Sequence, residues 1–292
     1  MGVGVGIFMA LMAFLYAAVG HGGASAYLAI MALTDLDINI VKPAALMLNI
    51  VVSAVACSQF YRAGFFRASM FWPLVATSIP MAYWGGTIQL DPATYKKVLG
   101  ILLLIPSIGF MAKKPINLDQ KNPSIPLPGE QSNRMLDKYR EGRHCLTKQP
   151  LLLLFKGIFS GGWRYAHWKI ASIGVVIGFI SGVLAIGGGV LLSPLLLFFG
   201  WTNQKQTAAL GAGFILVNSL AGLAGQWNNV RADSGGMEAF QAALNWVSTF
   251  GIGVFLGGWA GSFMGARRFE ELRLRSILGL VLLIAAIKLI LT

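Results

Sequence analysis

Charged residues are scarce in this chain. Asp, Glu, Lys and Arg make up 12% of its 292 residues, whereas apolar residues make up 56%. Soluble domains contain about 25% charged and 45–50% apolar residues. A helix needs about 20 mostly apolar residues to cross a bilayer, and the sequence supplies several such runs. The composition therefore argues against a soluble protein and predicts an all-α polytopic membrane protein.

Cysteines and acidic residues are also few. Cys57 lies in an apolar run and Cys145 in a basic loop, so neither a disulfide nor metal-ligand spacing is predicted. A membrane-embedded enzyme acting on a phosphorylated lipid would need carboxylates or a basic cluster at its site. The predicted spans contain no acidic residue well inside them. We therefore predict no enzymatic activity, no cofactor and no metal site.

The positive charge is concentrated in one loop. The chain carries a net charge of +12, and residues 113–169 hold eleven Lys and Arg against four Asp and Glu, a net +7. The positive-inside rule places this proline-rich loop in the cytoplasm, and no motif accompanies the charge to indicate nucleic-acid binding. We predict three regions: a first transmembrane repeat (1–112), a basic cytoplasmic linker with an interfacial segment (113–169) and a second transmembrane repeat (170–292).

The two sides of the linker resemble each other in order. "VGHGGASAYLAIMAL" parallels "AIGGGVLLSPLLLFF", which places Gly22 over Gly188. "KPAALMLN" parallels "KQTAALGAG", and "KVLGILLLI" parallels "SILGLVLLI". Chance similarity between apolar segments is the alternative, but the matches keep their order along the chain. This pattern favours two related halves.

Each half contains an apolar segment interrupted by a glycine cluster, at residues 20–23 and 187–189. Glycine inside a helix costs about 1 kcal/mol relative to alanine, so clusters at matching places indicate deliberate breaks. The pieces that follow, residues 24–33 and 190–200, would reach about 15–17 Å as helices. That is half of a hydrocarbon core of about 30 Å. Paired broken segments of this kind are typical of a transporter site.

Loop charges favour hairpins at the two breaks. With a hairpin plus three spanning helices, each half makes an odd number of crossings, and the halves become inverted repeats. This topology puts basic loop residues inside and acidic ones outside. The inside residues are Arg62, Arg67, Lys205, Arg267, Arg268, Arg273 and Arg275, and the outside ones Asp35, Asp37, Asp233 and Glu238. The alternative, an eight-span parallel repeat, places the last four of these arginines outside.

The hairpins imply a chemistry. The two short helices would point their N-termini, with free N–H groups and about half a positive charge each, toward the membrane midplane. Glycine lets a ligand approach the backbone closely, so two such ends can hold an anion without a full positive charge. The alternative is that the glycines only permit tight helix packing. The candidate ligand-binding glycines are Gly22, Gly23, Gly187, Gly188 and Gly189.

Four polar residues are further candidates for the anion site. His21 lies in the first break and could donate to the anion, couple transport to protons or make an ordinary backbone hydrogen bond. Asn49 and Ser53 share a helix face, and Asn218 holds a similar place in the second half. Their amides and hydroxyl could bind an oxyanion or join helices by hydrogen bonds; these two alternatives stay open.

Two other patterns concern helix ends and packing. Lys42 and Lys205 hold matching places before the second long span of each half. They could attract anions to the two mouths, although snorkelling of helix-end lysines is the commoner explanation. Gly253, Gly257 and Gly261 are spaced four apart, which predicts a close-packing helix face rather than a ligand site.

Taken together, these motifs resemble the TauE/SafE sulfite-exporter family of membrane permeases. The residues that carry the likeness are "GHGG", "IGGGVLLSPLL", "KPAAL", "KQTAAL" and "LGLVLLI", spread over both halves. The resemblance implies export, or sometimes uptake, of small sulfur anions across a bacterial or archaeal cytoplasmic membrane, with Gly22, Gly23, Gly188 and Gly189 as site glycines. The chain departs from the family pattern in its His21 and its long basic linker, which leaves the exact substrate open.

We therefore predict a multi-pass inner-membrane secondary transporter that exports sulfite or an organosulfonate by alternating access. An anion channel and, less favoured, a membrane-embedded enzyme on a phosphorylated lipid are the alternatives. The expected partners are a small anionic substrate and the lipid bilayer, without nucleic acid; a homodimer stays open. The sequence does not determine the anion, the direction of transport or the coupling ion.

Overall fold

The computed structural model describes residues 2–32, 37–111, 164–233, 235–267 and 271–291. Within these ranges all regular secondary structure is helical, which confirms the predicted all-α class. The ten helices are α1 Gly2–Ala18, α2 Ala24–Ala32, α3 Ile38–Arg62, α4 Ala68–Thr87, α5 Pro92–Met111, α6 Arg164–Leu184, α7 Gly189–Phe198, α8 Gln204–Ala232, α9 Gly236–Arg267 and α10 Glu271–Leu291.

Three helices of the described ranges, α3, α8 and α9, are long and apolar enough to cross a membrane. The described short helices after the breaks, α2 and α7, have nine and ten residues, close to the predicted pieces 24–33 and 190–200. Helix α6 begins at Arg164, upstream of the predicted start of the second repeat at residue 170. Residues 113–163 of the predicted linker lie outside the described ranges.

The most extensive helix contacts in the described ranges join the two halves. Helix α1 packs on α9 and α6 on α4, while α3 packs on both α8 and α9, and α8 also on α4. Let α1–α5 correspond in order to α6–α10. Each contact then has a counterpart with the halves exchanged: α1 on α9 corresponds to α6 on α4, and α3 on α9 corresponds to α8 on α4. The arrangement has the pairing that a two-fold relation between the halves would produce.

Contacts along the central pair of helices fix their directions. Ala56 and Phe60 near the end of α3 cluster with Ala208 and Ala212 near the start of α8. Earlier in α3 and later in α8, Asn49 Nδ2 donates to Ser219 Oγ. Helices α3 and α8 therefore run antiparallel, although they hold matching places in the two halves.

Helix α9 runs parallel to α1 at very close range. A Cβ added at Gly257, Gly261 or Gly265 would collide with the backbone carbonyls of Ala10, Phe14 and Ala18, respectively. Gly253 is looser, since its nearest neighbour atom would be 3.7 Å away. The predicted close-packing face is thus confirmed at Gly257 and Gly261, and it continues to Gly265.

The two breaks have matching backbone geometry. Helix α1 ends with the N–H of His21 donating to Tyr16 O, and α6 ends with the N–H of Ile186 donating to Ser181 O. Gly23 and Gly188, which directly precede α2 and α7, have φ values of +89° and +78°, a left-handed conformation that favours glycine. The structural match therefore pairs Gly23 with Gly188. Placing Gly22 over Gly188 was wrong by one residue, and His21 corresponds to Ile186 instead of a glycine.

Candidate functional site

One side chain of α3, Asn49, joins the two breaks. The backbone N–H of Ala24, the first residue of α2, donates to Asn49 Oδ1 at 3.1 Å. Asn49 Nδ2 donates to Ile186 O in the second break and to Ser219 Oγ on α8, each at 3.2 Å. Asn49 is fully buried. Its carboxamide thus occupies the N-terminal end of α2 and connects it to the second half.

A glycine from each break lies directly against this carboxamide. A Cβ at Gly22 would overlap Asn49 Oδ1, and one at Gly187 would overlap Asn49 Nδ2. Ile215 of α8 closes the same space, 3.0 Å from the Gly22 position and 2.8 Å from the Gly187 position. The two breaks therefore converge on one amide group, and any side chain at either glycine would displace it.

Polar groups surround the start of α2. Ser25 Oγ donates to Tyr16 Oη at 3.2 Å, and the rings of Tyr16 and His21 meet edge to face. The hydroxyl oxygen of Tyr27 lies 2.7 Å from where a Cβ of Gly23 would be, and among the described residues it has no hydrogen-bond partner. This end of the site offers hydroxyl and imidazole groups together with a helix N-terminus.

The start of α7 is more apolar. Gly188 caps this helix without any side-chain hydrogen bond to the cap. Phe214 and Ile177 lie 2.8 and 3.0 Å from the position of a Gly188 Cβ, and Ser181 lies 3.2 Å from it. Ser181 Oγ is buried and, in the part of the chain that the structure describes, unpartnered. The described α7 end therefore has the Ser181 hydroxyl near it, whereas the α2 end has several polar groups.

Comparison with known proteins identifies the family of this chain. The profile described as "Sulfite exporter TauE/SafE" matches residues 5–289. The chain belongs to the TauE/SafE sulfite exporter family. It is 32% identical over 291 residues to a probable membrane transporter protein, y4hK, of Sinorhizobium fredii, covering 99% of this chain and 98% of that protein. No solved structure shows a significant match. The predicted resemblance is confirmed, and this TauE/SafE chain is a membrane transport protein.

The structure of this TauE/SafE member brings most predicted site residues together. Gly22 and Gly187 each lie against the Asn49 carboxamide, and Gly189 lies against Ile215, which also contacts both of these glycines. Gly23 and Gly188 start the two short helices. Asn218 is buried with neither amide atom partnered among the described residues, next to Ser219 in the chain. Whether these residues bind substrate stays a prediction.

Ser53 departs from the predicted arrangement. It is buried, but its hydroxyl donates to Ile50 O of its own helix at 3.3 Å. Of Ser53 and Asn49, which share the α3 face, Asn49 is the one with described hydrogen bonds to the breaks. Ser53 as a substrate ligand stays a prediction.

Five polar residues described at the site were not among the predicted ligands: Tyr16, Ser25, Tyr27, Ser181 and Ser219. Tyr27 and Ser181 each lie within eight residues of a break in the sequence, and Ser219 follows Asn218. Their position near the glycine clusters is the feature of the sequence that could have indicated a place in the site. Ser and Tyr are so common in packed membrane helices of such transporters that this signal alone is weak.

The break region of this TauE/SafE protein is closed to solvent. All residues from Tyr16 to Leu28 and from Leu184 to Val190 are buried. Within the described ranges no three His, Cys, Asp or Glu side chains come together to hold a metal. The available groups are amides, hydroxyls, one imidazole and helix N–H groups. They can donate hydrogen bonds to an oxyanion in a dry environment, where such bonds are strong.

Proposed function

We propose that this protein is a secondary transporter that exports a small sulfur oxyanion, sulfite or an organosulfonate, by alternating access. The anion is held near the membrane midplane between the N-terminal ends of α2 and α7. The observation that carries the proposal is the position of Asn49 Oδ1, an oxygen acceptor at the α2 N-terminus between the two breaks.

The amide oxygen indicates what the site accepts. Asn49 Oδ1 receives the Ala24 N–H at 3.1 Å, the bond that an oxygen of a sulfite or sulfonate group would receive at the same helix end. Helix N-termini favour negative charge because their N–H groups and dipole both point at the ligand. Asn49 would release this N–H to an arriving anion and, by giving up its Nδ2 bond to Ser219 Oγ, would donate a hydrogen bond to the same anion.

Unpartnered hydroxyls around the breaks support a ligand there. Tyr27 Oη and Ser181 Oγ are buried without a partner among the described residues, and so are both amide atoms of Asn218. Leaving a buried polar group unpaired costs about 1–3 kcal/mol. A small oxyanion with several acceptor oxygens would satisfy the donors of these groups.

Alternating access fits the closed breaks and the helix directions. A channel would need a continuous path, whereas the described break residues are buried. Antiparallel α3 and α8 at matching places support inverted repeats, a common plan for carriers that rock around a midplane site. We place the protein in the inner membrane, with the basic linker in the cytoplasm and no bound cofactor or catalytic step; a homodimer stays open.

The first test is substrate binding and transport by the purified protein. Calorimetry with sulfite, sulfoacetate and taurine, beside sulfate and phosphate, should give saturable binding of at least one sulfur compound. In proteoliposomes the bound compound should show saturable counterflow, since a carrier cycles with its substrate. If none of these anions binds, or if flux rises linearly without saturation, the proposal is wrong.

Two substitutions test the place of binding with little risk to folding. Tyr27→Phe and Ser181→Ala each remove only a hydroxyl that has no described protein partner. Hydrogen bonds to charged groups contribute about 1.5–3 kcal/mol, so each variant should bind the anion about tenfold or more weakly. The control is Ser262→Ala on α9, whose hydroxyl donates to Gly258 O at 2.7 Å and should leave binding unchanged. If all three variants bind the anion as tightly as the unmodified protein does, a site at the breaks is contradicted.

A further inference from the structure

A cavity opens at the end of the bundle where α3 and α9 begin and α4 and α8 end. It holds about 510 Å³ of empty volume, its open mouth included, and no break residue lines it. We call it the Lys42 vestibule. Its polar lining is Asn39, Lys42, Gln89, Gln226, Asn229 and Asp233.

The lysine of this vestibule is buried. Lys42 is only 7% exposed, so it does not extend into solvent as a snorkelling helix-end lysine would. Its Nζ lies 4.7 Å from the centroid of the Tyr95 ring, and no ion pair to it is found among the described residues. A buried cation needs a compensating partner, and a ring face supplies only part of that compensation.

A second group in the vestibule lacks partners. Gln226 is 7% exposed, and neither Oε1 nor Nε2 has a hydrogen-bond partner in the described ranges. Its carboxamide lines the same cavity as Lys42. A buried ammonium and an unpaired amide donor facing one water-accessible space are the groups that bind an oxyanion.

The acidic group of the lining lies at the rim. Asp233 caps the end of α8 and is exposed, so solvent screens its charge more than that of Lys42. The interior of the vestibule therefore carries the positive charge of Lys42, and the carboxylate of Asp233 lies at its exposed rim. Inside the vestibule, the charge of Lys42 would repel an inorganic cation.

The vestibule connects to the break region through two elements. Asn218 and Gln226 are eight residues apart on α8, about 12 Å along one helix face, and both have unpartnered amides. Tyr95, which lies under Lys42 Nζ, donates its hydroxyl to Leu184 O at 2.9 Å, just before the second break. A ligand beside Gln226 in the vestibule would thus be about 12 Å along α8 from Asn218 near the midplane site.

We propose that the Lys42 vestibule is a second anion site, which holds a sulfite or sulfonate group between the Lys42 ammonium and the Gln226 amide. By the topology favoured above it lies at the outer mouth, so an exported anion pauses there after leaving the breaks. The class of ligand rests on the proposed function, but the site itself rests on the cavity, the buried lysine and the unpaired glutamine.

The test is calorimetric titration of the purified full chain with sulfite, with thermal unfolding to check that each variant is folded. Lys42→Gln should lose the vestibule binding event, at least tenfold in affinity. Gln226→Leu, which replaces an unpartnered buried amide, should fold and weaken the same event. The matched control is Lys205→Gln, because Lys205 also lies over a ring, that of Phe65 at 5.1 Å, but does not line the vestibule.

The outcomes separate this proposal from the proposed function. If Lys42→Gln and Gln226→Leu bind sulfite as the unmodified protein does while Tyr27→Phe binds it weakly, the vestibule site is refuted and the midplane site stands. If the vestibule variants lose binding while Tyr27→Phe and Ser181→Ala do not, the vestibule stands and the midplane site is refuted. If Lys205→Gln weakens binding as much as Lys42→Gln, the effect is general charge, and the vestibule site is refuted.

Discussion

At the scale of single residues, Asn49 holds the two halves of the site together. It accepts from the first N–H of α2 and donates to the second break and to α8. The carboxamide stabilises the fold because it satisfies buried backbone groups. In the proposed mechanism it also yields the N-terminus of α2 to the anion when the anion binds. A substitution at Asn49 should separate these two roles.

Asn49→Ala should destabilise the protein and weaken anion binding. It leaves the Ala24 N–H and Ile186 O without their partner, and an unpaired buried polar group costs about 1–3 kcal/mol. The measurement is thermal unfolding in detergent, with and without sulfite. We expect a clear fall in the melting temperature and a smaller stabilisation by sulfite.

Asn218→Ala is the matched control for stability. Asn218 is an equally buried asparagine, but its amide has no described protein partner, so its loss removes no such hydrogen bond. We expect a much smaller fall in the melting temperature than for Asn49→Ala. Equal destabilisation by the two substitutions would mean that the hydrogen bonds of Asn49 contribute little.

Residue identities in the site were partly predictable. The glycine clusters stand out because adjacent glycines disfavour a continuous helix, and Asn49 stands out because it is a polar residue inside an apolar run. Placing Gly22 over Gly188, which also pairs His21 with Gly187, was wrong by one residue, because sequence similarity does not define a unique register where several glycines are adjacent. The left-handed backbone at Gly23 and Gly188 sets the register, and backbone conformation is not readable from repeated glycines.

At the scale of helices, α1 and α9 pack so closely that α9 needs glycine along one face. Gly261 lies against the carbonyl of Phe14, with no room for a methyl group. Gly253, two turns earlier, has only ordinary contacts within 4 Å. The two glycines offer a matched pair, because an added methyl group would collide with backbone at Gly261 and make only ordinary van der Waals contacts at Gly253.

Gly261→Ala should lower stability, and Gly253→Ala should not. Overpacking a close interface costs about 1–3 kcal/mol, whereas alanine at an unobstructed helix position is favoured over glycine by about 1 kcal/mol. Thermal unfolding of the purified variants measures the difference, which should have opposite signs. A Gly261→Ala protein as stable as the unmodified one would show that α1 and α9 separate easily.

The spacing of these glycines predicted the face but not its partner. A repeat of four places small residues on one side of a helix, which is a local property. That α9 packs on α1, far away in the sequence, depends on how the halves assemble. The same holds for α6 on α4, where a Cβ at Gly182 would meet Ala82 O.

At the scale of the whole molecule, the loop charges and the helix directions agree. Charge predicted that the start of α3 and the end of α8 lie on one side of the membrane, and both line the Lys42 vestibule. Loop charge is readable from sequence because it follows a rule about each loop alone. The contacts between halves, and hence the vestibule, needed the assembled fold.

The orientation of the C-terminus tests the whole arrangement. If the linker is cytoplasmic and each break forms a hairpin, α8 exits outward, α9 returns, and α10 ends outside. A fluorescent-protein fusion after Thr292 should therefore stay dark and an alkaline phosphatase fusion should be active, while the same pair inserted in residues 113–163 should give the reverse. A fluorescent C-terminal fusion would overturn the hairpin topology and favour the eight-span parallel repeat, although antiparallel α3 and α8 argue against that outcome: a parallel repeat requires matching helices to run in the same direction.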